Sequence, residues 1–265
     1  MAFIRTVCFR CFLENLGSWQ VSLAHIIKKE MKGVCGPVIL AVETATMCGS
    51  IALVADDKCL AEFSLQTGET HSRRLLAGID WVLQETGLDW SAIDAVAVSL
   101  GPGSFTGLRI GLATAKGLAM AAGAKLIGVG TLDGLAAQLF AVGKILICPV
   151  LDARKKEVYG GFYRCDEQGI PRLQEKWWVI SPEALCERIE EPVVVLGDGA
   201  AVYNDVFRDR LADLLRVPPS GAYFPRAATI GMLAVEKWQQ NVFLDPASSE
   251  PLYIRPSEAE LHLGK

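Results

Sequence analysis

From Val38 onward, apolar runs alternate with short polar turns. Val38-Ile39-Leu40-Ala41-Val42 is apolar throughout and ends at Glu43, the pattern of a central strand covered on both faces. Thr44 to Gly49 reads as a turn, Ser50 to Ala55 as a returning strand, and Cys59 to Leu65 as a third, so the three form a meander. A helix follows, with Leu75, Leu76, Ile79, Val82 and Leu83 on one stripe, Arg73, Asp80 and Gln84 off it, and Gly87 as its stop. Ile93 to Leu100 is another buried strand. The loop Gly101 to Gly107 leads into a helix over 106–122, then a strand over 125–129 and a helix over 132–141. The pattern starts again with strands over 145–151, 158–164 and 177–180. Ser181-Pro182-Glu183 opens a helix with a cap, a proline at the first position and an acidic first turn. A strand over 192–196 runs into Gly197-Asp198-Gly199, and a helix over 229–239 lies near the end.

Strands, helix, strand, helix, used twice, predict an α/β chain of two βββαβα lobes, the outline of the actin, sugar-kinase and Hsp70 (ASKHA) superfamily. The expected division is 37–136 plus about 225–256 for the N-terminal lobe, 137–224 for the C-terminal lobe, and 257–265 for a tail. Residues 1–36 lack the pattern and read as an extension, with Met31 a candidate start and residues 1–30 misassigned or poorly ordered. They show no uninterrupted apolar core or cleavage site of a secretory signal, which points to a cytoplasmic protein.

Composition changes this picture only at its margins. With 265 residues, 51% hydrophobic and 21% charged, the chain can bury a substantial core. Mean hydropathy is +0.29, yet no apolar run reaches the roughly 18 residues of a membrane span. A net charge of −4 weighs against direct nucleic-acid binding, and the short basic groups Arg73-Arg74 and Arg154-Lys155-Lys156 read as solvated surface. The eight cysteines read mostly as small buried hydrophobes of a reducing compartment, and Cys8 and Cys11 lack a second pair with zinc spacing.

Two features carry candidate chemistry. Gly101-Pro102-Gly103-Ser104-Phe105-Thr106-Gly107 joins a buried strand to a helix, and its free N–H groups with the helix dipole could hold a phosphate or carboxylate. It matches neither GxxxxGK[ST] nor GxGxxG, and a purely structural turn is the other reading. Glu43-Thr44-Ala45-Thr46, at the end of the first strand, occupies the place where this superfamily meets nucleotide phosphates. The candidate anion or nucleotide residues are therefore Glu43, Thr44, Thr46, Gly101, Gly103, Ser104, Thr106 and Gly107. In the helix that follows, Gly107, Gly111, Ala115 and Ala119 recur every fourth residue and form one ridge. Glycine weakens a helix by about 1 kcal/mol relative to alanine, so the ridge needs a packing reason. That reason is either the chain's own sheet or a second subunit. Asp152-Ala153-Arg154 through Tyr159 reads as a polar hairpin tip, or as a ligand or partner contact.

Glu43-Thr44-Ala45-Thr46, Glu69-Thr70-His71-Ser72, the run Gly101 to Gly111, Asp152-Ala153-Arg154 with Glu157-Val158-Tyr159, and Pro251-Leu252-Tyr253-Ile254-Arg255 appear in this order. In these elements the chain resembles the TsaB family of bacterial tRNA threonylcarbamoyladenosine biosynthesis subunits. The resemblance implies an actin-like fold and a subunit without activity of its own. It would pair with a catalytic paralogue, TsaD, and act with an ATPase, TsaE. Together they would transfer threonylcarbamoyl to the adenosine beside the anticodon of tRNAs reading codons that begin with A, with tRNA met indirectly. The interface with the paralogue is expected on the helices at 71–87 and 106–121, from Leu75, Ile79, Gly107, Arg109, Gly111, Ala115 and Ala119. No cofactor is implied for this subunit, and ATP or ADP at the complex interface stays open. The paralogue's metal is held by two histidines four apart, whereas His71 is followed at that spacing by Leu75, so no metal site is expected. An independent ATP-dependent enzyme with Asp152 as its acid, and a homodimer, are the alternatives.

Overall fold

The computed structural model describes residues 36–56, 58–66, 71–139, 143–218 and 220–255, with backbone alone at 71–74 and 220. The N-terminal extension, the proposed start at Met31 and the tail lie outside the described residues. The strands are β1 (Val38–Glu43), β2 (Cys48–Ala55), β3 (Lys58–Gln66), β4 (Ala95–Gly101), β5 (Lys125–Gly130), β6 (Leu146–Asp152), β7 (Val158–Gly160), β8 (Tyr163–Cys165), β9 (Pro171–Leu173), β10 (Trp178–Ile180), β11 (Val193–Leu196) and β12 (Leu215–Arg216). The helices are α1 (His71–Thr86), α2 (Phe105–Ala122), α3 (Thr131–Ala136), α4 (Pro182–Cys186), α5 (Asp198–Val202), α6 (Asn204–Leu211) and α7 (Ala227–Gln239).

The first sheet runs β3-β2-β1-β4-β5, with β1, β2 and β3 antiparallel and β4 and β5 parallel to β1. Every residue of β1 is buried because both faces are covered. Val38, Leu40 and Val42 face a core built with Leu75, Ile79 and Val82 of α1 and Leu112 and Ala115 of α2. The alternate row, Ile39 and Ala41, packs with Ala97, Ile127 and Val129 under Ala227, Ile230 and Ala234 of α7. The start of α7 is docked by side chains of the meander: Ala227 N donates to Ser50 Oγ at 3.0 Å and Ala228 N to Glu62 Oε1 at 3.0 Å.

The second sheet repeats that order as β10-β7-β6-β11-β12, again with three antiparallel strands followed by two parallel ones. Asp152, at the end of β6, is thus the topological counterpart of Glu43 at the end of β1. The predicted strand over 158–164 is split at Gly161-Phe162, yet both pieces pair with β6 in one continuous register, Leu151 with Tyr159 and Ile147 with Tyr163. The predicted helix over 132–141 ends at Ala136 and tightens into a 3₁₀ turn over Ala137–Leu139. Residues 198–211, of which the sequence pattern marked only Gly197-Asp198-Gly199 at the start, form α5 and α6. Cys48, Cys148 and Cys186 are buried as expected, but Cys59 is exposed on the edge strand β3 and Cys165 is half-buried. No helix among the described residues is long and apolar enough to cross a membrane.

The lobes meet through α3. Leu132, Leu135 and Ala136 share a core with Ile147, Leu151, Tyr163 and Leu196 of the second sheet. Tyr163 Oη donates to Asp133 Oδ1 at 2.7 Å and accepts from Trp177 Nε1 at 2.8 Å. Burial, reinforced by the Asp133 carboxylate, holds the phenol far above its ordinary pKa, so it remains a donor. Tyr163→Phe leaves both neighbours without their partner and is expected to lower stability by about 2 kcal/mol. Urea denaturation measures this, and a loss well below 1 kcal/mol would show that the relay is dispensable.

Candidate functional site

Glu43 stands opposite Ser50 on β2 and beside Ser99, which follows the Val42–Val98 register pair on β4. It is wholly buried. Its Oε1 accepts the Ala45 N–H at 2.5 Å, while Oε2, Ser99 Oγ and Thr131 Oγ1 have no hydrogen-bond partner among the described residues. Burial pushes the carboxyl from 4.5 up to about 7, opposed by the Ala45 amide, the nearby Ser99 hydroxyl and the Thr44 amide.

The glycine loop lies directly against this turn. Ser104 N donates to Ala45 O at 2.7 Å, and Ser104 Oγ caps α2 by accepting the Gly107 N–H at 3.2 Å. Thr44 Oγ1 donates to Gly107 O at 2.9 Å. A Cβ on Gly107 would lie 2.1 Å from Thr44 O, and one on Gly111 2.2 Å from Thr44 Oγ1. The glycines therefore serve the close approach of α2 to the end of β1. The Thr46 hydroxyl is taken by the backbone of Cys48. Of the two readings of Glu43, Thr44, Thr46, Gly101, Gly103, Ser104, Thr106 and Gly107, anion cradle or structural turn, these contacts support the structural turn. The Ser104 and Gly107 amides and both threonine hydroxyls are turned inward, Gly103 abuts Ala45 and Gly101 abuts Leu252. Ser104 and Thr106 are the exposed residues of the set.

The expected partner-facing ridge is corrected on the same grounds. Leu75, Ile79, Gly107, Gly111, Ala115 and Ala119 are buried in the chain's own core, and only Arg109 of that set is exposed. The outward ridge of α2 is instead Ala113, Gly117 and Ala121, all exposed, flanked by half-buried Ile110 and Leu118. Met120, beside it, is 72% exposed, and a Cβ on Gly117 would meet nothing within 4 Å. On α1 Leu76 is 54% exposed. The same four-residue spacing could have shown this second ridge; the sequence does not say which of the two faces the sheet.

The segment Pro251–Arg255 joins this region to the second lobe. Leu252 N donates to Leu100 O at 2.8 Å. The Tyr253 ring stacks on Phe105 with centroids 5.1 Å apart, the Arg109 guanidinium lies 3.8 Å above Phe105, and Arg109 Nε donates to Tyr253 Oη at 3.2 Å. Arg255 pairs with Glu157, at the base of the β6–β7 turn. In that turn Asp152 N donates to the Asp198 carboxylate at 3.0 Å, and burial raises the pKa of Asp198. Tyr203 Oη lies 3.4 Å from Asp152 Oδ1. The His71 side chain, His25 and His262 lie outside the described residues. Among those described, no group of three or more His, Cys, Asp or Glu could hold a metal.

A family model described as TsaD, tRNA N6-adenosine threonylcarbamoyltransferase, matches residues 65–263. The chain is 33% identical to the tRNA threonylcarbamoyladenosine biosynthesis protein TsaB of Escherichia coli K12, over 83% of this chain and 96% of that protein. It is 30% identical to the TsaB of Bacillus subtilis 168, over 84% of this chain and 96% of that protein. Its fold is similar to that of the solved structure of YeaZ from Pseudomonas aeruginosa, with TM-score 0.70 and 28% identity over 82% of this chain and all of that one. The glycine run packs on the Glu43 turn and the Pro251–Arg255 segment ties that loop to the β6–β7 turn, and the likenesses to these relatives show that the chain belongs to the TsaB family, within the reach of the TsaD-type model.

Proposed function

We propose that this chain is a cytoplasmic supporting subunit of tRNA threonylcarbamoyladenosine biosynthesis, pairing with a TsaD-type paralogue through the outer face of α1 and α2 and working with a TsaE-type ATPase. The observation that carries the pairing is the exposed ridge Ala113-Gly117-Ala121 with Met120 beside it, together with exposed Leu76 on α1. Small residues at helical spacing let a second helix approach closely, and exposed methionine and leucine give that contact apolar area. A partner built on a related fold would present equivalent helices, so the contact is a pseudo-symmetric packing of helix pairs. Arg109 lies at the rim of this face, held by Phe105 and Tyr253. The inward-turned glycine loop supports a subunit that completes the transferase rather than one that turns over ATP alone.

Gly117→Leu fills the ridge without touching the core. It is expected to weaken association with the paralogue at least tenfold in light scattering or calorimetry, and to lower threonylcarbamoyl transfer in the reconstituted assembly in proportion. Unchanged association would move the contact elsewhere. Self-association of the chain, disrupted by the same substitution, would favour a homodimer instead.

A further inference from the structure

The β6–β7 turn has a backbone that its sequence does not invite. Arg154, Lys155 and Lys156 adopt φ of 62°, 52° and 61°, three consecutive left-handed residues of which none is glycine. Each such residue costs about 1–2 kcal/mol, and glycine, asparagine or aspartate ordinarily fills these positions. The conformation is held from below. Arg154 N donates to Asp152 Oδ1 at 2.9 Å, Ala153 N to Glu157 O at 2.9 Å, and Glu157 N to Arg154 O at 3.0 Å. Asp152 is itself tied to Asp198. Strain that the surroundings over-determine in this way directs attention to what the strained residues present.

What they present is positive charge. The Arg154 side chain is 81% exposed although it approaches Asp152 at 3.2 Å. Lys155 and Lys156 are exposed beside it. At the tip and its base, the four cations Arg154, Lys155, Lys156 and Arg255 stand against the three carboxylates of Asp152, Glu157 and Asp198, on a chain whose net charge is −4. Two residues before Arg255, at most about 7 Å along the chain, Tyr253 is 38% exposed, its ring stacked on Phe105 and its hydroxyl accepting from Arg109. The Pro251–Arg255 segment therefore links the cationic turn, through the Arg255–Glu157 pair at its base, to an aromatic and guanidinium platform.

We infer that this chain itself contacts the RNA, with Arg154, Lys155 and Lys156 on backbone phosphates and Tyr253 offering a face to an unpaired base. Cations along a strand with an aromatic face between them are the elements by which proteins hold single-stranded nucleic acid. An acidic protein surface would engage the cations but leaves the exposed ring without a role. The rigid turn also lowers the ordering penalty on binding. The inference rests on the subunit's proposed place in tRNA modification, and it replaces the sequence reading of this basic run as solvated surface and of tRNA as met only indirectly.

The test is filter binding of tRNA to the reconstituted assembly between 50 and 200 mM salt, conditions over which phosphate contacts change affinity strongly. Two variants of this chain are used. Arg154→Gln with Lys155→Gln and Lys156→Gln removes the charge, and the triple glycine variant removes it while keeping the left-handed turn accessible. Both are expected to lower tRNA affinity about tenfold or more at low salt, and to flatten the log–log salt dependence by about 2–3. Association with the paralogue, read by light scattering, stays at the level of the unsubstituted chain. Unchanged affinity and slope in both variants overturn the inference. Unchanged tRNA binding with lost binding of the ATPase also overturns it, and makes the tip a protein contact. If the unsubstituted chain fails to associate with the paralogue at all, the proposed function fails, which is a separate result.

Discussion

Gly107→Ala is expected to destabilise the protein by about 2 kcal/mol, while Gly117→Ala, ten residues along the same helix, is expected to stabilise it by up to about 1 kcal/mol. The intrinsic gain of alanine over glycine in a helix is the same at both positions. What differs is the space around the new methyl group. At Gly107 it would fall 2.1 Å from the carbonyl oxygen of Thr44, which is backbone and cannot rotate aside. Either α2 lifts from the end of β1, with loss of the bond from Thr44 Oγ1 to Gly107 O, or the turn after Glu43 shifts. Overpacking of this kind costs about 1–3 kcal/mol, and a backbone clash belongs at the upper end, from which the helix gain is subtracted. At Gly117 the methyl meets nothing within 4 Å. Urea midpoints for both variants and the parent decide the matter; two shifts of the same sign would mean that the inner and outer ridges have been assigned wrongly. Gly117→Ala adds one methyl to the docking face, so it also serves as the mild counterpart of Gly117→Leu.

The stability of the chain is expected to fall by about 3 kcal/mol between pH 4.5 and pH 7 on account of Glu43 alone. Its carboxyl titrates near 4.5 when the chain is unfolded and at about 7 in the fold, because burial disfavours the anion more than the Ala45 amide, the Ser99 hydroxyl and the Thr44 amide favour it. The sign follows from proton counting. Between those two values the unfolded chain has released the proton and the native chain still holds it, so raising the pH favours unfolding. The contribution is fully present below the unfolded value and is lost as pH rises through the folded one; above that it changes no further. Glu43→Gln keeps an oxygen for the Ala45 N–H and has no proton to lose. Urea midpoints measured from pH 4.5 to 8 should therefore show a decline in the parent that is missing from the variant. Parallel curves would show that Glu43 is ionised throughout, with a partner for its free Oε2 supplied in solution.

The fold is largely legible in the sequence. Fully apolar runs such as Val38–Val42 announce central strands because a strand covered on both faces has no polar position to offer, and the order of strands and helices repeats from lobe to lobe. Elements failed to register where burial does not produce a period. The short helices α5 and α6 follow a glycine turn and bury little beyond Phe207 and Leu211, so no stripe marks them. The bend at Gly161-Phe162 splits a strand whose alternation runs on unbroken.

The site was legible as a set of residues and illegible as an arrangement. The residue types of the glycine run, the acid closing the first strand and the Pro251–Arg255 motif are local facts of the chain, and they were enough to place it beside a family. Which way a helix turns is not local. Two ridges of small residues run along α2 at the same spacing, and only the position of Thr44 under Gly107 and Gly111 decides that one of them is core and the other surface. In the same way, Arg109 and Tyr253 are 144 residues apart and meet only because the chain returns over the loop. Sequence by itself determined the longer strands, the repeated lobe and the family, since these follow from the periodicity and identity of neighbouring residues, while the three-residue strand β9 and the two-residue strand β12 carry no period. Tertiary structure alone decided that the glycine loop packs on the Glu43 turn, because the bonds from Ser104 N to Ala45 O and from Thr44 Oγ1 to Gly107 O join residues about 60 apart in the chain.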